Sequence, residues 1–209
     1  MPPDSVGPRS TWWANARLPP VCLHGKGVRR SHIESPYGIV AFSSLLLRLP
    51  VLLEIRATTP EDAGTISALN ADVQQIHADA HPRRFKPPAP HTFTEKDAKD
   101  LLSSPGYFGF LALDAGVPIG YLVAEIVRRP ETARQFADEF VYIHEISVRP
   151  GARRKGVGRS LLDAAKAHGR LLGIPMVALD TWSFNEGALH FFQKNGLVPF
   201  NVRLWNQGE

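Results

Sequence analysis

The stretch from Phe140 to Leu172 constrains this chain most. It opens with FVYIHEISV, an apolar, β-branched run of strand length, passes through RPGARRKGVG, and ends in RSLLDAAKAHGRLL. On that last part Val157, Leu161, Leu162, Ala165 and Leu172 fall on or near one helical face, with Arg159, Asp163, Lys166 and Arg170 on the other. A strand that runs through a glycine turn into a helix N-terminus builds an anion site. The first helical N–H groups have no partner, the helix dipole is positive there, and glycine lets a phosphate approach the backbone. Arg153, Arg154 and Lys155 add charge beside Gly156 and Gly158, so the turn reads as a pyrophosphate cradle.

Two common phosphate motifs do not fit. Gly151 and Gly156 have the first spacing of the Walker loop, but Val157 and Gly158 stand where Lys and Ser or Thr should follow. The dinucleotide fingerprint fails because Leu161 replaces its third glycine. What remains is Arg153-x-x-Gly156-x-Gly158 directly after Val148-Arg149-Pro150. This resembles the [QR]-x-x-G-x-[GA] acetyl-CoA motif of the GNAT superfamily of N-acetyltransferases. Trp182 to Leu197 resembles the family's second motif, N-x-x-A-x-x-[FL]-[YF]-x-x-x-G-F, with Asn185, Ala188, Phe191, Phe192 and Gly196 in place.

The resemblance covers roughly residue 52 to the end and implies an α/β fold of the α+β type: a mixed, mostly antiparallel sheet with helices on both faces. It implies acetyl-CoA as cosubstrate, with the Arg154–Gly158 backbone, Val157 included, on the pyrophosphate and Arg153, Arg154 and Lys155 in support. The backbone of Ile146 and Val148 would pair with the pantetheine arm, and Asn185, Ala188 and Phe192 would approach from the other side. Asn185 also has the position of a helix cap. Many relatives carry a proton-donating Tyr where this chain has Phe192, and a phenyl ring cannot donate. Tyr142 is then the candidate donor, unless water serves or the thiolate leaves unassisted. For the base, His144 and Glu145 lie on opposite faces by alternation unless a bulge changes the phase. Glu145 is favoured, and Glu125, set in the apolar run 121–127, is a third candidate.

The expected reaction is acetyl transfer to a primary amine, of a small molecule or of a protein N-terminus or Lys, by direct attack in a ternary complex. A CoA-binding regulatory or sensor module without turnover is the alternative, prompted by Phe192. The resemblance also makes a homodimer possible, through the final strand.

Charge separates two regions. The chain has 209 residues and a formal net charge of +4, all of it in residues 1–50; residues 51–209 balance. The expected domain is therefore neutral, which argues against general nucleic-acid binding. Residues 1–50 are proline-rich and without clean periodicity, and read as a disordered or mis-annotated extension. Their apolar run Gly38–Leu47 is too short to span a membrane. Arg29-Arg30 ahead of it imitates a signal peptide, but no convincing cleavage site follows. The single Cys22 excludes a disulfide framework and fits a reducing, cytoplasmic setting. No metal site is expected: His77 and His81 have zinc-pair spacing, but Ala78 stands where the base of that motif would be.

From Val51 the expected order is β-α-α-β-β-β-α-β-α-β. A strand over Leu52–Arg56 precedes a helix started by Thr58-Thr59-Pro60 and stopped by Pro82. The proline-rich loop and the helix from Thr94 complete a helix–loop–helix, and residues 77–93 would wall the acceptor site. Asp114-Ala115-Gly116 signals a hairpin between Tyr107–Leu113 and Val117–Arg128. Pro130–Asp138 has room for a helical turn. Strands over Ile174–Thr181 and Leu197–Trp205 flank a last helix opened by Ser183 and Glu186 at capping-box spacing.

Overall fold

The computed structural model describes residues 53–204; the extension 1–50 and the outer ends of the first and last expected strands lie outside these residues. The hairpin forms as expected. Ala115 and Gly116 take φ of 48° and 82°, the two positive values that a tight turn between twisted strands requires. They join β2 (Tyr107–Asp114) to β3 (Val117–Arg129). β1 (Leu53–Ala57) pairs antiparallel with β2, and β4 (Asp138–Val148) antiparallel with β3. β5 (Val177–Leu179) pairs parallel with β4, giving the order β1-β2-β3-β4-β5. This is the expected mixed, mostly antiparallel sheet.

Alternation along β3 divides the core into two layers. Leu122 and Ala124 join Phe110, Val141 and Ile143 beneath α3 (Val157–Leu171), which contributes Val157, Leu161, Leu162 and Ala165. Tyr121 and Val123 join Leu111 and Leu113 beneath α1 (Ala63–Ala80) and α2 (Glu95–Ser103), which contribute Ala63, Ile66, Leu69 and Ala98. Each buried Leu, Ile, Val or Phe contributes about 1.5–3 kcal/mol. The sheet is thus clamped from both faces and can hold a site at its rim. Leu172, expected on the apolar face of α3, is instead exposed at the helix end.

The remaining differences from expectation have local causes. Ile174 gives its N–H to the Gly169 carbonyl and so belongs to the end of α3, and Pro175 has no N–H to give; β5 therefore shrinks to Val177–Leu179. Pro130–Asp138 holds no helical turn. Thr132 Oγ1 accepts from the N–H groups of Arg134 and Gln135, and its own N–H closes on the Gln135 carbonyl. The last helix, α4 (Glu186–Lys194), is opened by Asn185 and not by Ser183. The final strand expected over Leu197–Trp205 does not form among the described residues. Leu197 spends its N–H on the Phe192 carbonyl, and Val198, Phe200, Val202 and Leu204 stand in solvent.

Candidate active site

The site is built around an irregularity in β4. Val123 of β3 pairs with Glu145, but the next residue, Ala124, pairs with Ile143, so His144 is the extra residue of a β-bulge. Simple alternation would send His144 and Glu145 to opposite faces. The bulge places both on the α1 side of the sheet, shown by their partners. Glu145 Oε2 accepts from the Tyr121 hydroxyl at 2.6 Å and from Asn70 Nδ2 at 3.1 Å. His144 Nε2 lies 2.9 Å from Glu125 Oε2, and Glu125 is in phase with Tyr121 on β3.

Aromatic rings hold the imidazole in place. Tyr107 stacks on His144 with centroids 5.0 Å apart, and Tyr142 meets it edge-on at 4.9 Å. The Tyr142 hydroxyl donates to Asp180 Oδ2 at 3.0 Å, just past β5. Burial, then Asp180, pushes the Tyr142 phenol up. Burial, then Glu125, does the same to Tyr107. Tyr121 is fully buried, and burial followed by the Glu145 charge holds its phenol well above the ordinary value. All three hydroxyls stay protonated at neutral pH.

Beyond the bulge, β4 has an edge that no strand pairs with among the described residues. Pairing with β5 stops at Ile143↔Leu179, while β4 runs on to Val148. Arg149 gives its N–H to the Ile119 carbonyl on β3. By strand alternation the backbone groups of Val148 and Ile146 then point the other way, into the gap. The Val148 carbonyl there accepts from Arg153 Nε at 2.9 Å, which folds the first basic residue of the turn back onto the strand end.

In the turn itself Arg154 and Gly156 both adopt left-handed conformations, φ 62° and 88°. Gly156 is the N-cap of α3 and provides no side-chain cap, so the helix's first N–H groups face outward; the first helical bond runs from Ser160 N to the Gly156 carbonyl. The two glycines serve different ends. Among the described residues no atom lies within 4 Å of a Cβ built on Gly156, whose requirement is conformational. A Cβ on Gly158 would lie 3.4 Å from the Phe191 ring, so that glycine sets how closely α3 packs on α4. Arg153, Arg154 and Lys155 are exposed. Lys155 also borders a cleft of about 400 Å³ with Asp72, Asp114 and Arg149.

Against known proteins, the sequence model described as Acetyltransferase (GNAT) family matches residues 70–197, more than half of the chain. This chain belongs to the GNAT family. A mycothiol acetyltransferase of Streptomyces scabiei is 25% identical over 203 residues, 90% of this chain and 61% of that protein. Its counterpart from Propionibacterium freudenreichii is 27% identical over 158 residues, 71% of this chain and 49% of that protein. The GNAT chain thus spans only about half to three fifths of the length of these relatives. Among solved structures, the BH1408 tetramutant from Bacillus halodurans superposes with a TM-score of 0.70 at 21% identity, over 73% of this chain and 98% of that one. Aminoglycoside N-acetyltransferase AAC(6')-Iy in complex with CoA gives 0.59 at 22%, over 78% and 99%. At these identities the structures support the fold.

The second GNAT motif is seated as follows. Asn185 Oδ1 accepts from Ala188 N at 3.1 Å, so it caps α4, and Ala188 packs against the α3-side core. Phe192 is buried in that core, and Phe191 lies between it and Gly158. His77 and His81 join a ring cluster. His77 meets Phe85 at 5.1 Å and Phe184 at 5.7 Å, His81 meets Phe184 at 5.1 Å, and Phe85 meets Trp182 at 5.1 Å. The Arg84 guanidinium lies 5.0 Å from the Trp182 ring. The cluster ties the end of α1 to the loop after β5. Three partners were missed from sequence alone. Asn70 and Tyr121 have no motif, and Asp180 follows a strand that was read as longer. The one available signal for Tyr121 was its place two residues from Val123 on a buried strand, where a hydroxyl needs a partner.

Proposed function

We propose that this protein is an acetyl-CoA-dependent N-acetyltransferase that acts on the primary amine of a small molecule by direct attack in a ternary complex. One observation carries the reading: the edge of β4 left unpaired among the described residues runs from the bulge that holds Glu145 to the donor-lined turn at Gly156. An extended amide arm ending in a pyrophosphate fits that edge and that turn in order. When bound, acetyl-CoA supplies the activated acetyl thioester.

This chain's residues then divide the work. Backbone N–H groups from Arg154 through Val157 to Gly158 hold the pyrophosphate, with the Arg154 and Lys155 charges beside them and Arg153 bracing the strand end. Ile146 and Val148 offer backbone donors and acceptors to the arm. Asn185, through the cap it forms, and Ala188 and Phe192, through packing, set the opposite wall. Glu145 takes the proton from the acceptor amine, which must be neutral to attack. His144, held by Glu125, lines the same face. Tyr142 is the β4 hydroxyl available to return a proton on the leaving-group side. The relatives' names, mycothiol acetyltransferase and aminoglycoside N-acetyltransferase, support a small-molecule acceptor over a peptide. The activity of the longer relatives, a homodimer through the exposed Val198–Leu204 segment and a cytoplasmic location belong to the same proposal.

The test has two stages. Calorimetric titration of acetyl-CoA into the folded protein and into an Arg154→Ala, Gly156→Glu variant should show binding only to the first. Free-CoA release should then rise above hydrolysis with members of an amine panel that includes aminosugars and short peptides. Binding without release for every amine would mark a binding module and overturn the enzymatic reading.

A further inference from the structure

The carboxylate assigned as base is held in an uneven way. Both of its side-chain hydrogen bonds go to the same oxygen. Tyr121, from β3, donates to Glu145 Oε2 at 2.6 Å, and Asn70, from α1, donates to it at 3.1 Å. Asn70 Nδ2 also reaches the Tyr121 hydroxyl oxygen at 3.0 Å, so the three groups close a triangle. Tyr121 and Asn70 are both buried, at 0% and 6% exposure, whereas Glu145 is only partly covered. Buried polar groups are kept where each has a partner, and here the partners converge on one atom.

Resting on the assignment of Glu145 as base, we infer that Tyr121 and Asn70 are positioning residues that pin Glu145 Oε2 and leave Oε1 as the proton acceptor. The bulge makes this necessary. At a bulge the strand bends and the extra residue is unpaired, so side-chain direction is less firmly fixed than in a regular ladder. Without the two donors the carboxylate is free to turn towards His144. With them, the rotation about its last bond is set from two sides by groups that cannot move without opening the α1-side core. Asn70 also borders a pocket of about 210 Å³ between α1 and the loop Pro88–Phe93.

The other polar side chains on this face are His144 with Glu125, and Tyr107 and Tyr142 on either side of the imidazole. Tyr121→Phe removes one donor and keeps the buried ring, so the fold stands.

The experiment measures kcat and KM for acetyl-CoA and for an active amine in the wild type, Tyr121→Phe and Asn70→Ala, each also made in a Glu145→Gln background, with melting temperature followed in parallel. Tyr121→Phe should lower kcat by about tenfold and leave KM for acetyl-CoA unchanged. Asn70→Ala should act in the same direction by less. In the Glu145→Gln background neither substitution should lower the residual rate further, because no carboxylate is left to position. An unchanged kcat in Tyr121→Phe, or a loss that persists undiminished in the Glu145→Gln background, overturns the inference. Glu145→Gln alone separates the two levels. If it retains wild-type activity, the base assignment itself fails. If it is impaired while Tyr121→Phe leaves kcat in place, the base stands and only the positioning role is wrong.

Discussion

His144 and Glu145 are consecutive in sequence and lie on the same face of β4, because His144 is the unpaired residue of the bulge opposite Val123 and Ala124. A regular strand would show the acceptor side only one of them. Two possible bases therefore share one face in different settings: Glu145 is held by neutral donors, and His144 is paired with Glu125. If Glu145 is the base, Glu145→Gln should lower kcat/KM by about 10²-fold or more at neutral pH. His144→Gln should lower it by about tenfold at most. Steady-state kinetics of the two folded variants checks this, and the reverse order of effects would transfer the role to His144.

Gly156 is held at φ 88°, in a turn where no atom of the described residues would touch an added Cβ. Gly156→Ala should cost roughly 1–2 kcal/mol of conformational strain, or let the turn relax and misdirect its N–H groups. Either way acetyl-CoA should bind more weakly, by about tenfold, with the far-ultraviolet circular dichroism unchanged. Calorimetric titration of the two proteins reads this directly. Equal affinity would mean the turn does not hold the pyrophosphate.

The glycine turn after β4 and the β2–β3 hairpin were legible in the sequence because both are local. Arg153-x-x-Gly156-x-Gly158 specifies its own turn, and Asp114-Ala115-Gly116 its own hairpin. The triangle of Asn70, Tyr121 and Glu145 was not legible, since its members come from three elements and meet only when α1 packs on the sheet. The bulge was foreseen only as a condition on alternation, because an extra residue leaves no mark in an apolar run. The missing final strand failed for the opposite reason. Val198, Phe200, Val202 and Leu204 alternate as a strand should, but pairing needs a neighbour, and Leu197 and Pro199 have no N–H left to give one.

That exposed alternation bears on assembly. Phe200 is fully exposed and Leu204 nearly so, beside polar residues on the intervening positions. In a homodimer through this segment, Phe200→Asp should weaken association by at least tenfold. Sedimentation equilibrium over a range of concentrations should show a dimer for the wild type and a monomer for the variant. A single monomeric mass for both would remove the homodimer from the proposal.

Stability should depend on acid through Asp62, which sits between β1 and α1. Its two carboxylate oxygens accept from the Arg56 guanidinium at 2.6 and 2.8 Å, and Oδ2 also accepts from the Thr59 N–H at 2.9 Å. The Arg56 hydrogen bonds hold the Asp62 carboxyl below its usual value, against the opposing effect of burial. A carboxyl whose folded value is depressed binds fewer protons in the native state than when unfolded. Its stabilisation is therefore complete above the ordinary carboxylate value of about 4 and disappears as pH falls through the lower, native value. Asp62→Asn keeps the shape and removes the charge, and should cost roughly 2 kcal/mol at pH 7. In urea unfolding, the gap between wild type and Asp62→Asn should stay constant from pH 7 to 5 and narrow below about pH 4. A gap that does not narrow in acid would mean the Arg56 pairing contributes nothing through charge, leaving only the hydrogen-bonded shape of the turn that starts α1.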